Sequence, residues 1–331
     1  MKTKFINIGI IGYGKIGKLR HKILNQNKNV KVISIYDPLF INNKKKIFKK
    51  NVNEILNNKQ ISTVFICTPN YLNYKFTTEG INKNKNIFCE KPPCLSEKEL
   101  QKIIKLEKKH KIKLMYGFNH RHHESIKQMK ELVISKKLGK ILWMRGRYGK
   151  SVNKDFYKNW RSNKNKSGGG ILIDQGIHML DLLLYFSGGF DIIKSIVTNS
   201  YWKLDIEDNV FAIFKNKSKN ISASLHSTIT QWRHLFSLEI FLEKGYLVLN
   251  GLKTSSNSYG KEELSIGFKR TTFPRAITVS KKKINFKVDK SFHNETNLFI
   301  EKILKNKKID KCNTSDALLL MKVLNKIYLK N

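Results

Sequence analysis

The amino-acid sequence predicts an α/β protein with two domains. An N-terminal doubly wound parallel sheet is expected over residues 1–120, and an α+β domain with an open, largely antiparallel sheet over residues 121–331. Three observations lead there. The chain has 331 residues, more than the roughly 250–300 at which a single hydrophobic core stops growing. Its first 120 residues alternate short apolar runs with amphipathic segments, as parallel strands covered by crossover helices do. Beyond residue 190, short alternating runs follow one another directly, the signature of antiparallel strands.

Taken in order, Phe5 to Ile11 is a β-branched run ending in glycines. Lys15 to Leu24 follows as a helix with Ile16, Leu19 and Ile23 on one stripe. Val30 to Tyr36 is a second strand, stopped by Asp37-Pro38, and a short helix is expected near Glu54 to Leu56. Ile61 to Thr68 is an apolar strand ending at Pro69, Tyr71 to Ile81 a helix, and Asn86 to Glu90 a strand ending at Lys91-Pro92-Pro93. Ser96 to His110 is a helix opened by a Ser96/Glu99 capping box, and Lys113 to Phe118 completes the sheet. Past a boundary near Phe118 to Arg121, the spacing predicts a helix from His122 to Leu138 closed by Gly139. A strand from Ile141 to Tyr148 and an apolar helix from Ile171 to Phe186 come next. The remaining strands are Ile192–Trp202, Val210–Phe214, Ile221–Thr230, Phe236–Leu242 and Tyr246–Leu249, the last two joined by a Glu243-Lys244-Gly245 turn. Two further strands precede a helical pair, Glu295–Leu304 and Ser315–Leu329.

The formal net charge is +39, from 64 basic and 25 acidic residues, which by itself points to nucleic acid or an anionic membrane surface. Three features argue otherwise. The excess is spread along the chain, with 25 basic and 7 acidic residues already in the first 120. Only 8 of the 64 cations are Arg, whereas phosphate and base-edge readout favour its planar fork. Asn and Ile are abundant together with Lys, and the three share A/T-rich codons. The charge is therefore read as compositional, with no specific nucleic-acid partner. No apolar run approaches the ~20 residues that span a bilayer, so no membrane partner is expected. Cys67, Cys89, Cys94 and Cys312 contain no closely spaced pair and read as small buried hydrophobes in a reducing compartment. Lys2 and Lys4 precede an apolar run as in a secretory leader, but Gly12, Gly14 and Gly17 break it at once. The expected location is the cytoplasm.

Gly12-Tyr13-Gly14-Lys15-Ile16-Gly17 fits the dinucleotide fingerprint and sits between a strand and a helix, the context it requires. Gly12 suits the tight turn, Gly14 a close approach of backbone to pyrophosphate, and Gly17 close packing of helix on strand. The helix N-terminus adds amide donors and a favourable dipole. Asp37 ends the second strand 20 residues after Gly17, where a carboxylate accepts hydrogen bonds from the ribose hydroxyls and repels a 2′-phosphate. NAD is therefore expected over NADP, a preference that Lys44-Lys45-Lys46 weakens.

Two further segments carry acid–base groups. Glu90-Lys91-Pro92 lies at the carboxyl end of a parallel strand, where ligands bind in open α/β sheets. In Gly168 to Asp181, Asp174 and His178 are four residues apart and share a helix face, with Asp181 close to it. An acid, an imidazole and a lysine suit removal of an alcohol proton as a hydride leaves; a histidine on an apolar helix also suits a satisfied core residue. Gly12 to Gly17, Ile66-Cys67-Thr68-Pro69-Asn70, Glu90-Lys91-Pro92, Gly117-Phe118-Asn119 with Arg121, Trp160-Arg161 and Gly168 to Asp181 occur in one order along the chain. In this set and order the chain resembles the glucose–fructose oxidoreductase / inositol dehydrogenase / MocA (Gfo/Idh/MocA) family. The closing segment Ser315 to Leu329 resembles the family's ending too.

The resemblance implies a Rossmann domain followed by an open-faced substrate domain that also oligomerises, its final helix packing back on the first domain. It implies Lys91 at the reacting hydroxyl near the nicotinamide, His178 as general acid/base, and Asp174 orienting the site and bonding substrate. Thr68 and Asn70 would line the cofactor groove, with Glu90 beside them, and Lys91-Pro92 would be a cis peptide. The activity implied is hydride transfer between NAD and a secondary hydroxyl of a sugar, sugar nucleotide or cyclitol. Arg121, Trp160 and Arg161 are the expected substrate contacts. Arg145 and Arg147, on one strand face, suit an anionic ligand or structural ion pairs. His120, His122 and His123 depart from the family pattern and are read as pocket or surface variation, with no metal. A homodimer or homotetramer is expected, because a large open sheet face needs covering. The alternative from another class is a non-catalytic NAD-sensing regulator, since fold does not dictate function.

Overall fold

The computed structural model describes residues 5–268 and 281–329; Lys2 and Lys4 of the leader-like start lie outside them. The chain forms two compact units. The first is 1–119 with 165–168 and 292–321, and the second is 120–164 with 169–291 and 322–331.

The first unit is built on a parallel sheet of β1 (Ile6–Ile11), β2 (Val30–Tyr36), β3 (Thr63–Ile66), β4 (Asn86–Glu90) and β5 (Leu114–Gly117), in the order β2-β1-β3-β4-β5. Every residue of β3 and β5 is buried, which explains their continuous apolar runs. The crossovers carry α1 (Lys15–Leu24), α2 (Asn53–Leu56), α3 (Asn70–Asn82) and α4 (Glu97–His110). Strand order reverses direction at β1, so the turn after β1 stands at the switch point where such sheets take ligands. The Ser96 hydroxyl caps α4 by accepting from the Glu99 amide at 3.2 Å, and Glu99 reaches back to the Leu95 amide at 2.9 Å, one residue earlier than the expected reciprocal bond.

A late segment completes this unit. Helix α8 (Ser291–Leu304) puts Phe299 edge-on to the stacked rings of Phe65 and Phe88. It also meets Arg20 of α1, which has no exposed surface. Arg20 donates to Glu90 through Nε at 2.8 Å, to the Thr296 hydroxyl and Phe292 carbonyl through Nη1, and to Glu295 through Nη2 at 2.5 Å. Its guanidinium lies over the Phe88 ring at 4.4 Å. Burial would lower the pKa of this guanidinium, but Glu90 and Glu295 raise it above the ordinary arginine value.

The second unit carries an open sheet in the order β13-β12-β11-β10-β6-β9-β8-β7 among the described residues. Its strands are β6 (Ile141–Ser151), β7 (Ile192–Thr198), β8 (Asn209–Asn216), β9 (Ile221–Thr228), β10 (Thr230–Leu242), β11 (Gly245–Asn250), β12 (Glu262–Phe268) and β13 (Lys281–Phe286). Only β6–β9 pairs in parallel; the other ladders are antiparallel. Of the other late helices, α6 (Lys164–Ser167) falls almost wholly in the first unit, and α9 (Thr314–Tyr328) has residues in both.

Two helices differ from expectation. α5 runs only from Glu124 to Ile134. His122 ends a 3-10 turn, extended His123 caps the helix, and Lys136 takes the left-handed conformation expected of Gly139. Gly139 also has a positive φ of 78° and leads into β6, where any side chain would collide with Glu243. The expected single helix from Ile171 to Phe186 is a π-helical turn, Leu172–Gly176, running into α7 (Ile177–Ser187). α7 lies directly on β6 because Gly146 has no side chain: a Cβ there would be 2.5 Å from Met179.

Arg20→Met is expected to cost about 3–5 kcal/mol, since it leaves two carboxylates buried without their cation. Urea unfolding checks this, and a loss under ~1 kcal/mol would show that Glu90 and Glu295 find other compensation.

Candidate functional site

In the first unit the Gly12–Gly17 turn follows directly from β1. Gly12 has φ +91°, and a Cβ on it would be 2.5 Å from the Cys67 carbonyl oxygen; on Gly17 it would be 2.1 Å from the Gly12 carbonyl oxygen. A Cβ on Gly14 would meet no protein atom within 4 Å. Gly12 takes the left-handed φ of a tight turn, Gly17 leaves no room for a side chain against the Gly12 carbonyl, and Gly14 faces open space. Helix α1 starts at Lys15 with no acidic residue in its first turn and no side-chain cap, so its amide donors carry no built-in anion.

Asp37 accepts from the Tyr13 amide at 2.7 Å and from the Leu39 amide at 2.9 Å. This ties the glycine turn to the end of β2, and a carboxylate with two such bonds keeps acceptor capacity for hydroxyls. The Tyr13 hydroxyl lies 2.7 Å from His21 Nδ1, and its ring packs on Phe40 and Phe48. An open glycine approach, an uncapped helix start and a pinned carboxylate form a cradle whose chemistry suits a dinucleotide's pyrophosphate and ribose.

Thr68 and Asn70 stand at the carboxyl end of β3, tied into the frame. The Thr68 hydroxyl donates to Asn73 at 2.9 Å, and the Asn70 amide donates to the Ser167 carbonyl at 2.7 Å. Asn73 is fully buried and donates to the carbonyls of Glu90 and Pro92, holding the Glu90-Lys91-Pro92 turn. Lys91-Pro92 is cis, and Lys91 is half-buried. Glu90, expected beside the cofactor, has its carboxylate on Arg20. Cys67, half-buried, lies near the same carboxylate, and desolvation and Glu90 both push its thiol up.

In the second unit Asp174 lies in the π-helical turn and His178 at the start of α7, 5% exposed. Asp174 meets two cations, Arg161 Nε at 3.1 Å and Lys150 Nζ at 3.3 Å. Buried Glu207 holds the turn that launches this helix. Its carboxylate accepts from the amides of Gly170 at 2.7 Å and Leu172 at 3.0 Å and from the Tyr328 hydroxyl at 2.9 Å. Burial pushes Glu207 above the usual carboxylate range against the pull of these donors.

The expected substrate arginines are committed to carboxylates. Arg121 forms a buried bidentate pair with Asp181 at 2.7 and 2.6 Å, over the Tyr185 ring. Arg145 pairs across the strands with Glu239. Arg161 pairs with Asp174 and lies over one face of Trp160 at 4.4 Å. The histidine cluster is interior rather than surface variation: His120, His122 and His123 are each under 10% exposed. His123 Nδ1 is 3.1 Å from Glu262. Burial would raise Glu262, but the hydrogen bond from His123 brings it below the ordinary carboxylate value.

A cavity of about 630 Å³ in the same unit is lined by Asn153, Asp155, Phe156, Trp232, Arg233 and His234, among others. Sequence reasoning missed Arg20, Asn73 and Glu207. Arg20 carried a signal, an arginine in a chain that otherwise uses lysine. Asn73 and Glu207 carried none, since their partners are distant backbone groups.

Residues 6–118 match the oxidoreductase family with the NAD-binding Rossmann fold, and residues 126–248 match the GFO/IDH/MocA C-terminal domain. Glucose-6-phosphate 3-dehydrogenase of Bacillus subtilis is 28% identical over 200 residues, covering 57% of this chain and 56% of the relative. D-glucoside 3-dehydrogenase of Escherichia coli is 30% identical over 170 residues, 50% of this chain and 47% of the relative. The chain thus spans about half the length of the curated relatives it matches. Levoglucosan dehydrogenase, solved with NADH and levoglucosan, superposes with a TM-score of 0.86 at 18% identity over 98% of this chain and 96% of that one; at that identity the likeness carries the fold alone. No helix among the described residues is long and apolar enough to cross a membrane.

Gly17→Ala is expected to lower NADH affinity at least tenfold, measured by calorimetry, because the added carbon displaces the turn carbonyl. Gly14→Ala meets no protein atom, so unfolding should barely change while NADH binding weakens. Unchanged binding in both variants would remove this turn as the cofactor cradle.

Proposed function

Because the chain belongs to the Gfo/Idh/MocA family of oxidoreductases with an NAD-binding Rossmann domain, we propose that it transfers a hydride between NAD and a secondary hydroxyl of a sugar, sugar nucleotide or cyclitol. The observation that carries this reading is His178, a buried imidazole on a largely apolar helix, four residues beyond a carboxylate that two cations hold. A histidine kept as core filler would not call for so charged a neighbourhood.

Gly12, Gly14 and Gly17 with the α1 amides and the flanking Tyr13, Lys15 and Ile16 hold the pyrophosphate in this reading, and Asp37 the ribose. Bound NAD supplies the hydride acceptor. His178 takes the hydroxyl proton in oxidation and returns it in reduction. Asp174 bonds a neighbouring hydroxyl and keeps Lys150 and Arg161 in place. Lys91 stabilises the developing alkoxide by its positive charge, on a turn that Asn73 and the Arg20–Glu90 pair keep rigid. Trp160 offers the ring face that Arg161 leaves open. With Arg121 and Arg145 committed to carboxylates, substrate charge falls to other groups. Arg233 in the 630 Å³ cavity is the candidate, with the exposed Trp232 beside it as a ring face. The two relatives named for oxidation at the sugar 3-position make ring hydroxyls of hexosides the first substrates to try. A homo-oligomer is proposed through the sheet face that exposes Trp143, Phe211, Ile213 and Ile196.

The test follows NADH absorbance with the purified chain against hexosides, hexose phosphates, uronic acids, sugar nucleotides and inositols. Turnover on one class, reduced about 10²–10⁴-fold in His178→Ala and about 10²–10³-fold in Lys91→Ala with NAD affinity retained, is the expected result. Full activity in either variant removes that residue from the chemistry, and NAD binding with silence across the panel favours the sensing alternative. Asp37→Ala should weaken NAD and narrow its advantage over NADP at least tenfold in Kd. An unchanged ratio would move cofactor choice elsewhere.

A further inference from the structure

Hydride transfer as proposed leaves the histidines at 120, 122 and 123 without a part. One of them touches its central residue. The His120 and His178 rings lie face to face, with centroids 3.9 Å apart and planes within 15°. His120 Nε2 is 3.0 Å from the hydroxyl of Tyr148 on β6, and Phe236 of β10 closes the side of the ring at 6.0 Å. Tyr148 in turn shares a hydrogen bond with Tyr259, and burial keeps both phenols protonated by raising them above the ordinary value.

Two consequences follow from this stack. A ring covered on one face and pinned at one nitrogen prevents its partner from tilting, so the plane of the His178 nitrogens is held. Two imidazolium charges this close in a buried site also repel strongly, so the pair accepts its first proton far more readily than its second, and a first proton taken by His120 keeps one off His178. The acids of the neighbouring elements each meet a cation or imidazole. Asp181 pairs with Arg121, and Asp174 with Lys150 and Arg161. Glu262 of β12 lies against His123 at 3.1 Å, with Asp289 at 3.9 Å from the other nitrogen of that ring. His123 itself stands edge-on to His120 at 5.7 Å.

We propose that His120 is a positioning residue for His178: stacked on it and anchored by Tyr148, it fixes the orientation of the imidazole and keeps it in the neutral, proton-accepting form at lower pH than an unstacked ring would manage. The inference rests on the reading of His178 as the proton-handling group, and its test separates the two. Histidine Cε1–H resonances of the full chain are titrated by NMR without substrate, His178→Ala identifying the His178 signal. In His120→Phe, which keeps a flat ring and removes its charge, the His178 signal should titrate about one pH unit higher than in wild type. The acid limb of kcat/KM should move up with it. His120→Ala should lose the ring-current displacement of the His178 signal and drop kcat about tenfold or more with KM little changed. His120→Gln, which can still bond Tyr148, should recover part of that kcat, and it makes the same comparison if Phe does not fold. An unchanged titration and pH profile in both His120→Phe and His120→Gln overturns the inference even where His178→Ala is inactive. Full activity of His178→Ala overturns the catalytic reading itself.

Discussion

One buried guanidinium organises the first unit. Arg20 projects from the helix that follows the glycine turn and binds a carboxylate at the end of β4 and another on α8. It thereby joins the helix after the glycine turn, the Glu90-Lys91-Pro92 turn and a segment some 270 residues later in sequence. A lone buried charge would be intolerable, and two carboxylates around one cation would be too without the hydroxyl, carbonyl and ring contacts that share the load. The Lys91 turn is therefore fastened from below by a network that contains none of the groups assigned to catalysis. Asn73 fastens it from the side through two backbone carbonyls.

The second unit solves a similar problem with different means. A helix carrying His178 must lie flat on the sheet and start at a defined point. Gly146 removes the side chain that would hold it off, and Glu207 gathers the amides of the glycine-rich turn that begins it. The π-helical turn between them adds one residue before α7, a local widening of the kind that recurs at functional sites. His178 then meets His120, which Tyr148 holds in turn on the same unit's frame, so its orientation is a property of the sheet and the 3-10 turn together.

The cations divide into two groups once their partners are visible. Lysines make up most of them and are largely exposed, whereas Arg20, Arg121, Arg145 and Arg161 each meet a carboxylate. Planar, always-charged guanidinium suits such bidentate or multiple pairing, and ammonium does not. Lysine thus supplies the bulk charge, while these four arginines tie segments together.

The sequence alone determined the two-part architecture, the parallel and antiparallel character of the two sheets, and the glycine turn with Asp37 at the next strand's end. These depend on periodicity and on residues near one another in the chain, where local sterics and hydrogen bonding decide. It also marked Lys91, Asp174 and His178 as candidates through short motifs. Only the tertiary structure decided that α8 belongs with the first unit, that Glu90 serves Arg20, that Arg121 serves Asp181, and that His120 covers His178. Each of those facts joins groups tens to hundreds of residues apart, and which of many acids a given arginine meets depends on where the backbone carries both side chains, not on any local preference.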